Sequence, residues 1–251
     1  MIDDPLFYLA AVPAVLLVGL SKGGFGGGVA LLGVPMMSLI ISPVQAAGIM
    51  LPILIAMDLV GLYAYRGTFD RASLLITVPA AMAGIAIGWA TAALVTAAHV
   101  RLIVGVVALV FSLDYFLGGE KSKHPARPKV VKGSFWGAVS GFTSFVSHAG
   151  GPPYQMYMLP LRLDKLVLAG TSIIQFAIVN AVKVIPYFFL GQFDTTNLTT
   201  SAILLPLAPI ATLAGVRLVK IVDQAMFYRL TYLGVFIVSL KLIWDGLAAL
   251  F

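Results

Sequence analysis

Six long apolar runs dominate the sequence and limit the folds that it can adopt. Each run is close to the roughly 20 residues that an α-helix needs to cross the hydrocarbon core of a bilayer. They cover Pro43–Tyr65, Ala72–Leu94, Val100–Leu117, Leu166–Leu190, Leu198–Val219 and Ala225–Leu247. Only 10% of the residues are charged, against roughly 25% in soluble domains. The sequence therefore predicts an all-α polytopic membrane protein surrounded by the lipid bilayer.

The remaining composition argues against several kinds of site. The chain has no cysteine, which excludes disulfides and thiolate chemistry. Its three histidines, at positions 99, 124 and 148, lie far apart in sequence, so we expect no metal site and no cofactor. The net charge of +6 comes from basic residues in short loops, a pattern typical of cytoplasmic membrane loops rather than of a nucleic-acid partner. We expect no enzymatic activity.

Two glycine-rich stretches interrupt shorter apolar segments. Residues 5–20 and 28–41 flank the first stretch, residues 21–28, while residues 133–147 and 152–163 flank the second, residues 147–153. Because Asp3 and Asp4 precede the first segment, where a secretory signal would carry positive charge, we expect it to be a retained helix. Segments of about 15 residues reach only about 22 Å. The sequence thus predicts tilted spans, or paired half-helices that meet inside the membrane.

The two halves of the chain resemble copies of each other. The matched pairs keep their order at a separation of 122 to 129 residues. They are Gly27-Gly28 with Gly150-Gly151, Ala47-Gly48 with Ala169-Gly170, Gly67-Thr-Phe-Asp70 with Gly191-Gln-Phe-Asp194, Pro79 with Pro206, Gly88 with Gly215, and Gly105 with Gly234. This order predicts a first repeat over 1–118, a cytoplasmic linker over 119–132 and a second repeat over 133–251.

Five helical segments per half would turn the second repeat upside down, and the loop charges favour this arrangement. With the linker inside, Arg101 is the only basic residue left in the outer loops. The twelve inner ones are Arg66, Arg71, Lys121, Lys123, Arg127, Lys129, Lys132, Arg162, Lys165, Arg217, Lys220 and Arg229. The positive-inside rule then places both termini on the periplasmic side of a bacterial inner membrane.

Inverted repeats with interrupted helices point to a transporter whose substrate site lies where the breaks meet. Bare amides at half-helix N-termini attract anions, and hydroxyl, amide and cationic side chains near the breaks add donors. The predicted substrate-binding residues are Ser21, Lys22, Gly23, Gly24, Gly27, Gly28, Ser144, Ser147, His148, Gly150, Gly151, Gln155, Gln175, Asn180 and Lys183.

Each of these residues also has a structural interpretation. The glycines allow close helix packing, serines bond back to their own helix, Lys22 snorkels to the surface, and His148 is a satisfied structural histidine. Asp58 and Lys183 are natural partners for an ion pair, either structural or used for coupling. If Lys183 faces the cavity instead, it adds positive charge for the substrate.

The chain resembles the TauE/SafE family over almost its whole length. Three segments carry this resemblance: the glycine run over residues 19–28, Leu31-Leu32-Gly33-Val34-Pro35 and His148-Ala-Gly-Gly-Pro152. That resemblance implies export of sulfite or of an organosulfonate such as sulfoacetate from the bacterial cytoplasm. Secondary transport by alternating access is the leading hypothesis, since no ATP-binding loop is present. An anion channel, a carrier for a non-sulfur carboxylate and a membrane enzyme are the alternatives, and a homodimer stays open.

Overall fold

The computed structural model describes residues 1–25, 29–91, 96–117, 126 and 128–250, and all regular structure in this part of the chain is helical. In the first half the helices are α1 Pro5–Lys22, α2 Gly33–Met37, α3 Pro43–Ala64, α4 Arg71–Ala90 and α5 Ala97–Leu117. In the second half they are α6 Val130–Ser147, α7 Gly151–Met158, α8 Lys165–Phe189, α9 Thr195–Leu204, α10 Leu207–Ile221 and α11 Gln224–Ala248. Short 3₁₀ turns precede α2, at Val29–Leu32, and follow α7, at Leu159–Leu161.

Several predicted features lie outside the described residues. They are Gly27 and Gly28 of the first glycine-rich stretch, residues 92–94 at the end of a predicted run, and residues 119–125 and 127 of the linker.

Polar side chains in the loops fix where the helices begin. A side-chain oxygen accepts a hydrogen bond from a backbone amide in the first turn of six helices, which satisfies a donor that the helix itself leaves free. These capping residues are Asp4, Ser42, Asp70, Asp164, Asp194 and Asp223. Five of the nine acidic residues in the described part of the chain therefore act as helix caps.

The matched Gly-x-Phe-Asp segments of the two halves adopt the same local structure. Gly67 and Gly191 have φ angles of 78° and 68°, a region that glycine enters without steric cost. Three residues later, Asp70 caps α4 and Asp194 caps α9. The sequence match thus corresponds to a repeated turn that ends one helix and starts the next.

Six described helices, α1, α3, α4, α5, α8 and α11, are long and apolar enough to cross a membrane, in agreement with the predicted polytopic fold. The single helix predicted over Leu198–Val219 is wrong, because α9 and α10 meet at an angle of 47°. Pro206 lies at the junction, where a proline removes a backbone hydrogen bond and its ring clashes with the preceding turn. The bent pair could provide a seventh span.

Corresponding helices of the two halves pack against each other in opposite directions. Gly48, near the start of α3, lies against Gln192 beyond the end of α8, whereas Gly61, near the end of α3, lies against Ile173 in the first half of α8. Gly105 of α5 lies against Ile243 of α11, and Phe111, further along α5, stacks on the earlier Tyr232. Antiparallel pairing of matched helices is compatible with the predicted inverted repeat.

Two further helix pairs, α1 with α10 and α4 with α6, pack closely through small residues. A Cβ atom on Gly23 would lie about 2.5 Å from the Gly215 backbone, and a Cβ atom on Gly84 would overlap Ala138. Such close approach of backbones is the usual use of small residues in membrane helices. In the predicted repeat, α1 of the first half corresponds to α6 of the second, and α4 corresponds to the bent pair α9 and α10. The contact of α1 with α10 is therefore the counterpart of the contact of α6 with α4.

Candidate functional site

The first break follows α1. Lys22 ends the helix, and Gly24 has a φ angle of 143° that favours glycine. The Tyr65 hydroxyl at the end of α3 donates a 2.7 Å hydrogen bond to the Gly23 carbonyl. The freed backbone at this break is thus partly satisfied by a side chain of another helix, as an apolar interior requires.

The second break follows α6 and is held by that helix's own hydroxyl groups. Ser140 donates to the Gly150 carbonyl at 2.7 Å, and Thr143 donates to the Ala149 carbonyl at 3.1 Å. His148 ends α6 with a φ angle of 54°, a left-handed conformation that is uncommon for residues other than glycine.

A small space of about 50 Å³, here called the central cavity, is lined by residues of both breaks. Seven of the predicted site residues line it: Lys22, Ser144, His148, Gly150, Gly151, Asn180 and Lys183. Apolar groups that the sequence did not indicate complete the lining: Ala30, Val34, Met50, Leu54 and Phe176. The structure therefore brings residues of both breaks and of α8 to one cavity.

Two of the residues that line this cavity, Lys22 and Asn180, bind the buried carboxylate of Asp58. One of its oxygens pairs with the Lys22 ammonium, and the other accepts a 2.7 Å hydrogen bond from the Asn180 side chain. The possible ion pair between Asp58 and Lys183 is not formed here: in the described part of the chain the carboxylate pairs with Lys22 and accepts a hydrogen bond from Asn180. The charge of Lys22 is therefore largely neutralised.

Lys183 is only 1% exposed. Its ammonium lies 3.3 Å from the Ser144 hydroxyl, 3.5 Å from the Ser144 carbonyl and 3.5 Å from His148 Nδ1. Among the described residues no carboxylate pairs with it. In its protonated form Lys183 thus gives the central cavity a surplus positive charge in a medium of low dielectric constant, where charge acts strongly.

The helix N-terminus at the second break offers fewer amides than the sequence analysis assumed. Pro152 and Pro153 follow Gly151 in the first turn of α7, and proline has no N–H group. The Tyr154 amide is already bonded to the Gly150 carbonyl. Only Gly150 and Gly151 can direct backbone donors into the cavity from this turn.

Other predicted site residues lie away from the central cavity. Gln175 accepts a 2.9 Å hydrogen bond from Thr77 and so joins α8 to α4, and Gly23 packs against α10. Gln155 is completely buried. The Ser21 hydroxyl is buried without a hydrogen-bond partner in the described part of the chain, and Gly24 packs near Tyr65.

A larger cavity of about 340 Å³, here called the vestibule, lies where α3 and α5 begin and α8 ends. It is lined by Val34, Pro43, Val44, Ala47, Arg101, Phe145, Val146, Ser147, His148, Tyr187, Leu190 and Gln192. Val34 and His148 line both cavities, so they form the wall between them. Ser147, a predicted site residue, lies here and bonds back to Thr143 of its own helix.

Tyr187, which the sequence did not indicate as a site residue, shares a 2.6 Å hydrogen bond with His148 Nε2 and lines the vestibule. Its position four residues after Lys183 on α8 places it on the same face of that helix, and this spacing could have indicated it. Arg101 was noted only as an outer-loop cation. Groups of histidine and acidic side chains able to hold a metal ion are absent from the described residues.

Comparisons with known proteins identify the chain at the level of a family. No curated protein and no solved structure matches it. A family model described as sulfite exporter TauE/SafE matches residues 11–242, which is nearly the whole chain. The chain therefore belongs to the TauE/SafE family of sulfite exporters.

Proposed function

We propose that the chain is a secondary carrier that exports a small anion, sulfite or an organosulfonate such as sulfoacetate, across the bacterial inner membrane by alternating access at the central cavity. Membership of a family of membrane exporters supports transport rather than enzymatic activity. The carrier needs no cofactor in this proposal, and its partners are the anion and the lipid bilayer.

The observation that carries the proposal is the environment of Lys183. Its buried ammonium faces the central cavity with serine and histidine partners but no carboxylate among the described residues. A buried charge is costly unless it is paired, so an anion in the cavity would supply the missing countercharge. The Ser144 hydroxyl and the Gly150 and Gly151 amides add donors suited to an oxyanion.

The size of the central cavity fits the same class of solute. A volume of about 50 Å³ has room for about four water-sized groups, since each needs about 10–15 Å³. Sulfite has four heavy atoms, and the sulfonate head of a larger anion has the same number. Organic parts of a sulfonate would extend past His148 toward the vestibule.

The lining favours a carrier over a channel. Met50, Leu54 and Phe176 interrupt the polar groups of the central cavity, whereas an ion channel needs a continuous polar or charged lining. The two glycine-rich breaks supply backbone that can rearrange as one half moves against the other.

Flux measurements in proteoliposomes test the proposal. We expect saturable sulfite counterflow in the wild-type protein, and a loss of more than about tenfold in Lys183→Gln, as removal of one charge-assisted contact of roughly 1.5–3 kcal/mol implies. Lys241→Gln, which removes a cation outside both cavities, serves as the matched control and should keep wild-type flux.

The outcomes separate the alternatives. Wild-type flux in a folded Lys183→Gln protein would remove the central cavity from the transport path. Flux that rises linearly with concentration, without counterflow, would indicate a channel. Acetate that competes as well as sulfite would indicate a carrier for carboxylates.

A further inference from the structure

We propose that the vestibule is a second anion station on the export path, in which Arg101 receives the anion after it passes His148. The inference rests on the proposed anion export and adds a site with a separate cation. In the predicted topology the vestibule faces the periplasm, so the station would be the last one before release.

Continuity between the two cavities is the first support. Val34 and His148 line both of them, and Tyr187, the hydrogen-bond partner of His148, lines the vestibule. The central cavity and the vestibule therefore adjoin at these two residues. In this proposal, movement of the His148 side chain away from Tyr187 admits the anion from the central cavity to the vestibule.

The charge of the vestibule is the second support. Arg101 is its only charged lining residue, and no carboxylate lines it within the described part of the chain. The guanidinium is half-buried and makes no ion pair with a described residue. A cleft lined by charge of one sign concentrates counter-ions and accelerates their arrival.

The chemistry of the lining suits an oxyanion of the sulfite or sulfonate class. Arginine offers a planar fork of donors that matches two oxygens at once. Ser147, Gln192 and His148 place further polar groups around the same space. The volume of about 340 Å³ exceeds what sulfite needs, so the station also accommodates the organic part of a sulfonate.

The location of Arg101 in the sequence supports the same inference. It is the one basic residue in the predicted outer loops. Positive charge on that side works against the positive-inside rule. Arg101 forms no ion pair with a described carboxylate, so a structural ion pair does not explain its presence there. A role toward a passing anion accounts for it.

Cysteine labelling in detergent tests the station without any need for transport. The chain has no cysteine, so Val44→Cys, 61% exposed and in the vestibule lining, is a clean reporter. We compare its modification rate by a sulfonate-bearing methanethiosulfonate with that by the trimethylammonium counterpart. Arg101→Gln should lower the ratio of the two rates about tenfold, while Arg101→Lys should largely preserve it.

Two controls make the result specific. Lys241→Gln removes one positive charge from α11 beside α5 but outside the vestibule, and should leave the ratio at Val44→Cys unchanged. A second reporter, Thr195→Cys, is exposed outside the vestibule lining and should respond little to Arg101→Gln. An unchanged ratio at Val44→Cys in Arg101→Gln, or an equal drop in Lys241→Gln, would overturn the proposal.

Protection by sulfoacetate separates this inference from the proposed function. Sulfoacetate should slow modification of Val44→Cys in the wild-type background and in Lys183→Gln, but not in Arg101→Gln. Protection that Lys183→Gln abolishes and Arg101→Gln retains would refute a separate station. If the wild-type protein showed no sulfite counterflow in proteoliposomes, this would count against the proposed carrier. The labelling result would still support the station in the vestibule.

Discussion

Lys22 and Lys183 line the same cavity with different surroundings. Lys22 pairs with Asp58, which Asn180 holds from the other side, whereas Lys183 contacts a serine and a histidine. Side-chain exposures of 9% for Lys22 and 5% for Asp58 place their pair in a nearly dry environment. The charge of Lys22 therefore has a carboxylate partner, whereas that of Lys183 has none among the described residues.

This difference gives a stability prediction. Asp58→Asn leaves the Lys22 charge buried without its partner and should destabilise the protein by about 3–5 kcal/mol. The double variant Lys22→Met with Asp58→Leu removes both charges and should recover most of the loss. Thermal unfolding in detergent measures both effects.

Two comparisons make the prediction specific. Lys241→Gln breaks a more exposed pair, whose lysine side chain is 39% accessible, and should cost less than about 1 kcal/mol. An Asp58→Asn protein as stable as the wild type would show that the buried pair contributes nothing to the fold.

At the scale of helices, the contact between α1 and α10 depends on the absence of side chains. A Cβ atom at Gly215 would overlap the Leu20 carbonyl and lie 2.9 Å from the Gly23 Cα atom. Gly215→Ala should therefore push the two helices apart at a cost of about 1–3 kcal/mol. The midpoint of thermal unfolding is the readout.

A neighbouring substitution is the matched control. Ala214→Val adds more volume one residue away, on an exposed face of the same helix, and should change stability little. If Gly215→Ala proved no more harmful than Ala214→Val, the close contact between α1 and α10 would not be a stabilising one.

The sequence predicted the long helices well because continuous apolar runs and acidic caps act locally. It did not predict the bend between α9 and α10. Pro206 lies at this bend, but the matched Pro79 lies inside the continuous helix α4. A proline in the sequence therefore does not by itself show whether a helix bends. The partner of Asp58 was also not predictable from the sequence, because residues 22, 58, 180 and 183 come together only in the tertiary structure.

At the scale of the whole molecule, the antiparallel pairing of α3 with α8 and of α5 with α11 bears on how the chain sits in the membrane. Corresponding helices that run in opposite directions require that matched loops lie on opposite faces of the bilayer. The distribution of basic residues predicts that the loop before α4 lies inside and the loop before α9 outside. The antiparallel packing is thus compatible with the inverted repeat that the basic residues predict.

Matched positions in the two repeats can test that topology directly. Ala72 and Thr196 are each the second residue of their helix, are exposed, and correspond to each other in the repeat. In intact cells an impermeant maleimide should label Thr196→Cys and reach Ala72→Cys only after lysis. Because the chain has no other cysteine, each signal has one source. Labelling of both positions from the same face would mean that the repeats are parallel, and the two glycine-rich breaks would then enter the membrane from one side.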